Sequence, residues 1–172
     1  DARIGLAHPS VPGEPHAVIL MLDIRGERTM QATAPPAVPR QLPLSVLAMR
    51  LTMALFLLPW VIDKFVNPGH AIAVFEGFYG LSGLGAPIVF AIGIAQVLIL
   101  LLFTLGIART WSYGLVLLMH AGSTLSSWKQ YLDPYMGANL LFFAAWPALG
   151  ACIALFLLRE HDTLWTLGRR RP

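Results

Sequence analysis

Charge is scarce in this chain. Only 12% of its 172 residues are Asp, Glu, Lys or Arg, while 56% are apolar and the mean hydropathy is +0.66. Soluble domains carry about 25% charged residues, so this composition predicts a membrane protein. The formal net charge of +3 is small, and its distribution along the chain is more informative than its size.

Cysteine is almost absent as well. The single residue, Cys152, lies within an apolar stretch. One thiol cannot form an intrachain disulfide, a CxxC redox pair or a cysteine-based zinc site. No second histidine lies three or four residues from His120, so we predict no metal site within the chain.

Residues 1–43 differ in composition from the rest. Seven prolines interrupt them, six of which lie within residues 1–40 at positions 9, 12, 15, 35, 36 and 39, and we predict a flexible N-terminal segment. Its one apolar run, Ala17 to Leu22, is too short to cross a membrane and forms at most a short strand or a surface segment. Because the sequence starts at Asp1, we expect Met30 to be the natural start.

Residues 44–158 predict an all-α membrane protein, a bundle of four transmembrane helices. The predicted spans are Leu44–Ile62, Pro87–Ile107, Trp111–Trp128 and Met136–Leu158. At about 1.5 Å of rise per residue, the second span reaches roughly 30 Å, the hydrocarbon thickness of a bilayer. The short turn at residues 105–110 predicts a tight antiparallel hairpin. Between spans 1 and 2, His70–Tyr79 predicts a short helix lying in the membrane interface, and Pro147 predicts a kink in span 4.

Basic residues set the predicted orientation. From residue 30 onward, one side of a four-span protein holds Arg40, Arg50, Arg109, Arg159, Arg169, Arg170 and Arg171, and the other side holds Lys64 and Lys129. The positive-inside rule therefore places both termini in the cytoplasm, with the bacterial inner membrane as the predicted location. Residues 159–172 form a basic cytoplasmic tail that we expect to anchor the chain to anionic lipid or a partner.

Polar residues cluster toward the predicted outer half of the bundle. On the third span His120, Ser123 or Thr124, and Ser127 recur at helical spacing, and Gln96 lies at similar depth on the facing helix. Donor side chains between apolar walls suit a quinone, whose carbonyls accept hydrogen bonds. The predicted cofactor-binding residues are His120, Gln96, Ser123, Thr124, Arg50, Lys64 and Asn139; no catalytic residue is predicted.

Each of these residues also has a purely structural interpretation. Serine and threonine often bond their own helix, and histidine or glutamine often joins two helices, at ~1 kcal/mol per bond. Arg50 either extends to the headgroups or faces the bundle and binds an acidic or carbonyl group. At mid-membrane depth we expect His120 to be a neutral imidazole with Gln96 as its protein partner.

The pattern resembles the DoxX family of small four-helix membrane proteins over roughly residues 44–158. The resemblance lies in Arg50 near the start of span 1, Lys64 at its end, Leu105-Gly106 followed by Arg109, and the glycine-rich aromatic loop before Pro87. It implies a four-helix bundle and, for some members, the membrane subunit of an oxidoreductase that passes electrons to quinone. Gln96 stands where such proteins often have an acidic residue, so the resemblance implies no proton-carrying role there.

Two functions of different class follow. The first is a membrane subunit, at most weakly catalytic, that anchors a redox partner and offers a quinone-accessible pocket in its outer half. The alternative is a purely structural subunit or assembly factor of a larger membrane complex, without cofactor. A transporter is disfavoured because four helices without a repeat leave little room for alternating access. The predicted partners are the lipid bilayer and a protein in a membrane complex, not nucleic acid.

The orientation predicts the outcome of a labelling experiment. A cysteine introduced near Asn67 or Asp133 should react with an impermeant thiol reagent added from outside the cell, and one near Thr110 should not. The reverse pattern of labelling would overturn the predicted topology.

Overall fold

A computed structural model describes residues 19–22, 28–31 and 39–168. The chain divides into two units, Asp1–Pro39 and Arg40–Pro172. In the first unit, β1 (Ile19–Leu22) pairs antiparallel with β2 (Arg28–Gln31), with Ile19 opposite Gln31. β1 falls within the apolar run noted in the sequence. The predicted flexibility of residues 1–43 falls mostly on residues outside the described part, as does the predicted lipid or partner anchor at Arg169, Arg170 and Arg171.

The described part of the second unit is helical. Its helices are α1 (Gln41–Val66), α2 (Pro68–Tyr79), α3 (Ala86–Thr104), α4 (Arg109–Ser126), α5 (Trp128–Leu132) and α6 (Ala145–Leu157), with 3₁₀ helices at Asn139–Ala144 and Arg159–His161. Three helical stretches are long and apolar enough to cross a bilayer: Gln41–Val66, Ala86–Thr104 and Asn139–Leu157. They indicate a helical membrane protein, in agreement with the composition.

The third predicted span is helical but is not among these three stretches. It corresponds to α4, whose mean hydropathy is lowered by a row of polar residues that includes Ser112, His120 and Thr124. These side chains are buried against the rest of the protein, whereas Trp111, Leu118 and Leu125 on the same helix are exposed. The helix is therefore amphipathic with its polar face turned inward.

The boundaries of α2 and of the α3–α4 hairpin follow from local chemistry. α2 begins at Pro68, two residues before its predicted start, because the Asn67 side chain accepts a hydrogen bond from the His70 backbone N–H and a proline is tolerated in the first helical turn. Residues 105–108 connect α3 to α4, and Gly106 adopts φ +62° there. The tight hairpin predicted from the sequence is present.

The last long helical stretch changes from 3₁₀ to α geometry near Pro147. It is 3₁₀ over Asn139–Ala144 and α-helical from Ala145. Proline lacks the N–H that a regular helix would use to bond the carbonyl four residues earlier. The irregular geometry thus lies beside the position where the sequence predicted a kink.

A narrow stripe of α1 forms the centre of the bundle. Val46, Met53, Leu57 and Val61 recur with the helical period and are at most 8% exposed. α1 packs on α3 and α6, and α4 packs on α3 and α6, so the four elements enclose one apolar core. Many large apolar side chains on the outer faces remain exposed, as a lipid-facing surface requires.

Arg50 lies in that same buried stripe and is 0% exposed. Its Nη1 donates to the Asp162 carboxylate at 2.7 Å, and its Nη2 donates to the backbone carbonyls of Leu164 and Trp165 at 2.9 and 3.0 Å. The Tyr113 hydroxyl donates to the same Asp162 oxygen. Of the two interpretations of Arg50, the structure shows the second, in which it faces the bundle and binds both an acidic group and carbonyls.

The segment at residues 159–168 is consequently packed onto the bundle. Arg109 donates to the Arg159 and Asp162 carbonyls, and the Leu167 N–H donates to the Leu105 carbonyl at 2.9 Å. A Cβ on Gly106 would lie only 2.7 Å from Arg50 Nη1 and 2.6 Å from Thr166 Cγ2. Glycine at 106 therefore provides both the positive φ and the space that this contact needs.

Removing the acidic partner of Arg50 should destabilise the protein strongly. Asp162→Leu leaves a buried guanidinium without its counter-charge, at an expected cost of about 3–5 kcal/mol in the free energy of unfolding. Arg50→Met combined with Asp162→Leu removes both charges and should be less damaging than Asp162→Leu alone. The measurement is unfolding of the purified protein by titration with a denaturing detergent.

A matched acidic control lies two residues away. Glu160 is about 60% exposed, and its carboxylate is 3.7 Å from Arg159 Nε, so Glu160→Gln should change stability by less than about 1 kcal/mol. Equal effects of Asp162→Leu and Glu160→Gln would show that the buried pair does not hold the bundle together.

Candidate functional site

A cavity of about 460 Å³ lies between the second half of α1, α2, α3, the second half of α4 and the junction of the last 3₁₀ and α segments. This volume is in the usual range of small-molecule sites, about 300–1,000 Å³. Its walls are mainly apolar and aromatic and include Phe56, Leu57, Trp60, Val61, Val74, Phe78, Met119, Leu141 and Phe142.

Four of the seven predicted binding residues line this cavity. They are Lys64, Gln96, His120 and Ser123, which come from three different helices. Ser126, Ser127, His70 and Tyr79 add further polar groups to the lining. The structure thus brings together residues that are distant in the sequence; Lys64 and Ser123 are 59 positions apart.

The other three predicted residues do not line the cavity. Arg50 is engaged with Asp162, about 21 Å from Lys64 along the axis of α1. Thr124 is 0% exposed and its hydroxyl donates to the His120 carbonyl one turn earlier, as helix-borne threonines often do. The Asn139 amide donates to the Asp133 carbonyl at 2.8 Å. Thr124 thus bonds its own helix, as its structural interpretation expects, and Arg50 makes the acidic and carbonyl contacts of its second interpretation.

His120 is oriented by the backbone of α6. Its Nε2 lies 3.0 Å from the Ala145 carbonyl oxygen, and its ring meets Phe56 edge-on at 5.6 Å between centroids. A carbonyl only accepts, so Nε2 carries the proton in this contact. The expected partner, Gln96, lies on α3, but the bond that His120 makes is to the Ala145 carbonyl at the start of α6. Gln96 and His120 share the cavity without this pairing.

The mouth of the cavity carries charged groups. His70 Nδ1 lies 2.7 Å from an Asp63 carboxylate oxygen, with the two side chains 48% and 27% exposed. Lys64 Nζ donates to the Trp60 carbonyl at 2.9 Å and lies 5.9 Å from the centroid of the Phe75 ring. A partly exposed ammonium therefore borders a space whose walls are mainly apolar.

Sequence reasoning missed His70 and the aromatic walls. Phe56, Trp60 and Lys64 recur every fourth residue, the spacing that places side chains on one face of a helix. This spacing could have predicted from the sequence that the two aromatic residues lie on the same helix face as Lys64. His70 reaches the cavity because α2 folds back onto α1 and α3, and no local pattern in the sequence predicts this packing.

The lining combines a few polar groups with apolar walls. Among the residues that the structure describes, no carboxylate lines the cavity, and no group of three or more His, Cys, Asp or Glu side chains could hold a metal. What the cavity presents is one ammonium, an amide, several hydroxyls and two imidazoles between apolar walls. Such a set fits an amphipathic molecule with a small polar head.

The fold and this cavity define the class of protein as a helical membrane protein that encloses an amphipathic cavity. Comparison with protein-family models, curated proteins and solved structures finds no match for the chain.

The contact between His120 and Ala145 predicts a defined tautomer. In protein labelled with ¹⁵N-histidine, the His120 ring should show a protonated Nε2 and an unprotonated Nδ1 by nuclear magnetic resonance, because only an N–H can bond the carbonyl. The spectrum of His120→Phe identifies the signal by its loss. A His120 ring protonated on Nδ1 would contradict the assignment.

Proposed function

We propose that this chain is a DoxX-like membrane subunit that anchors a redox partner and binds a quinone or quinol headgroup in its amphipathic cavity. The observation that carries the proposal is the convergence of His120, Gln96, Ser123 and Lys64 on one cavity with aromatic and aliphatic walls. A quinone head needs hydrogen-bonding groups at its oxygens, and its isoprenoid tail needs an apolar path to lipid.

The proposal includes α4 as a fourth transmembrane helix. It has 18 residues, which corresponds to about 27 Å, close to the hydrocarbon thickness. Its buried side chains include the polar groups Ser112, His120 and Thr124, while Leu118 and Leu125 are 69% and 62% exposed. In lipid, polar residues of a helix face the bundle interior and apolar ones face the acyl chains, which is the distribution found on α4.

The same topology places α2 at the outer interface and both termini in the cytoplasm. α2 has 12 residues, too few to cross a bilayer, and among its described residues only Ala71 is buried. Arg50, Arg109 and Arg159 lie together around Asp162, whereas Lys64 lies beside the cavity at the far end of α1. This separation of arginine from lysine agrees with the positive-inside rule.

Copurification tests the function. Protein purified from its native membrane in mild detergent should retain quinone, measured by solvent extraction and mass spectrometry. Ala145→Phe should reduce the bound quinone at least tenfold, because the added ring fills space beside His120 without removing a polar side chain.

A matched control comes from the lipid-facing side. Ala95 is exposed on α3 and does not line the cavity, so Ala95→Phe should leave the quinone content unchanged. Wild-type protein that contains no quinone but holds a stable protein partner would overturn the proposal in favour of the structural subunit or assembly factor.

A further inference from the structure

His120 has one ring nitrogen available to a ligand. Nε2 is occupied by the Ala145 carbonyl at 3.0 Å, and within the described residues Nδ1 has no hydrogen-bond partner although His120 lines the cavity. If the imidazole is neutral, Nδ1 bears a lone pair and acts only as an acceptor. The state of this nitrogen therefore decides which headgroup the cavity prefers.

The surroundings of His120 favour the neutral ring. Among the described residues, the cavity lining offers no carboxylate to pair with an imidazolium, and its one permanent cation is Lys64. The nearest aromatic contact is the edge-on Phe56 ring, which brings no charge. The Asp63 carboxylate, at the mouth, is already bonded to His70 at 2.7 Å. A buried charge without a partner is costly, so the imidazole remains uncharged.

From this geometry we infer that the cavity selects the reduced, hydroxyl-bearing form of the headgroup, a quinol, over the oxidised quinone. A quinol hydroxyl donates its hydrogen to His120 Nδ1. A quinone carbonyl in the same place would set its lone pairs against that of Nδ1, and neither group could donate. The inference rests on the proposed function and assigns its redox form.

The other polar groups do not discriminate between the two forms. Gln96 and Ser123 can each donate or accept, and both can adapt to a hydroxyl or a carbonyl. Lys64 only donates, and both a hydroxyl oxygen and a carbonyl oxygen accept. Among the four residues that carry the proposed function, His120 is therefore the one whose chemistry differs between the two ligands.

The test compares duroquinol and duroquinone, which share one ring and one set of methyl groups. Binding to the purified, quinone-depleted protein is measured by anaerobic calorimetry in detergent, with the free concentration of each corrected for its partition into micelles. One hydrogen bond replaced by an unfavourable contact predicts at least tenfold tighter binding of duroquinol. In His120→Phe, which keeps a ring of similar size, the two affinities should converge to within about twofold.

His161→Phe is the matched control. His161 lies on the last 3₁₀ helix and does not line the cavity, so this change should leave the quinol preference intact.

Equal or tighter binding of duroquinone by the wild-type protein would overturn the inference while leaving a quinone site in place. A quinol preference that persists in a folded His120→Phe would also overturn it. Failure of both ligands to bind would overturn the proposed function as well. If His120→Phe does not fold, the wild-type comparison alone decides.

Discussion

The buried ion pair between Arg50 and Asp162 is the interaction on which the rest of the structure depends. Both side chains are 0% exposed, and further hydrogen bonds are needed to offset the cost of desolvating two charges. Tyr113 and the carbonyls of Leu164 and Trp165 supply those bonds. One cluster thereby joins α1, α4 and the C-terminal segment. It fixes the position of α1 relative to α4, and the second halves of these two helices line the cavity.

The polar residues of the bundle thus divide into two groups with different roles. At one end Arg50 and Asp162 are paired in close packing, where a Cβ on Gly106 would lie 2.7 Å from Arg50 Nη1. At the other end His120, Gln96 and Lys64 border open space. There Gly93 allows α3 to approach α1 closely, since a Cβ at this position would lie 2.8 Å from the Phe65 ring. Close packing of α1 and α3 therefore coexists with a cavity beside it.

Much of this arrangement could be predicted from the sequence. The lengths of the apolar stretches and the positions of the glycines predicted where the helices and the hairpin lie. Both features depend on residues that are close together in the chain. Periodicity selected His120 and Ser123 for one cavity, and position along the predicted spans selected Gln96 and Lys64. Arg50 and Asp162 are 112 residues apart, and the sequence offers both Glu160 and Asp162 as partners. Thr124 and Asn139 donate to backbone carbonyls. Backbone groups are the same at every residue and leave no signal in a sequence.

The same limit explains why the tautomer of His120 could be assigned only from the structure. The Ala145 carbonyl that fixes it belongs to the start of α6, immediately after the change from 3₁₀ to α geometry. Any residue at position 145 would present that carbonyl, so the identity of the side chain carries no information about it. A main-chain atom thereby determines which ring nitrogen of His120 carries the proton and which one is left as an acceptor.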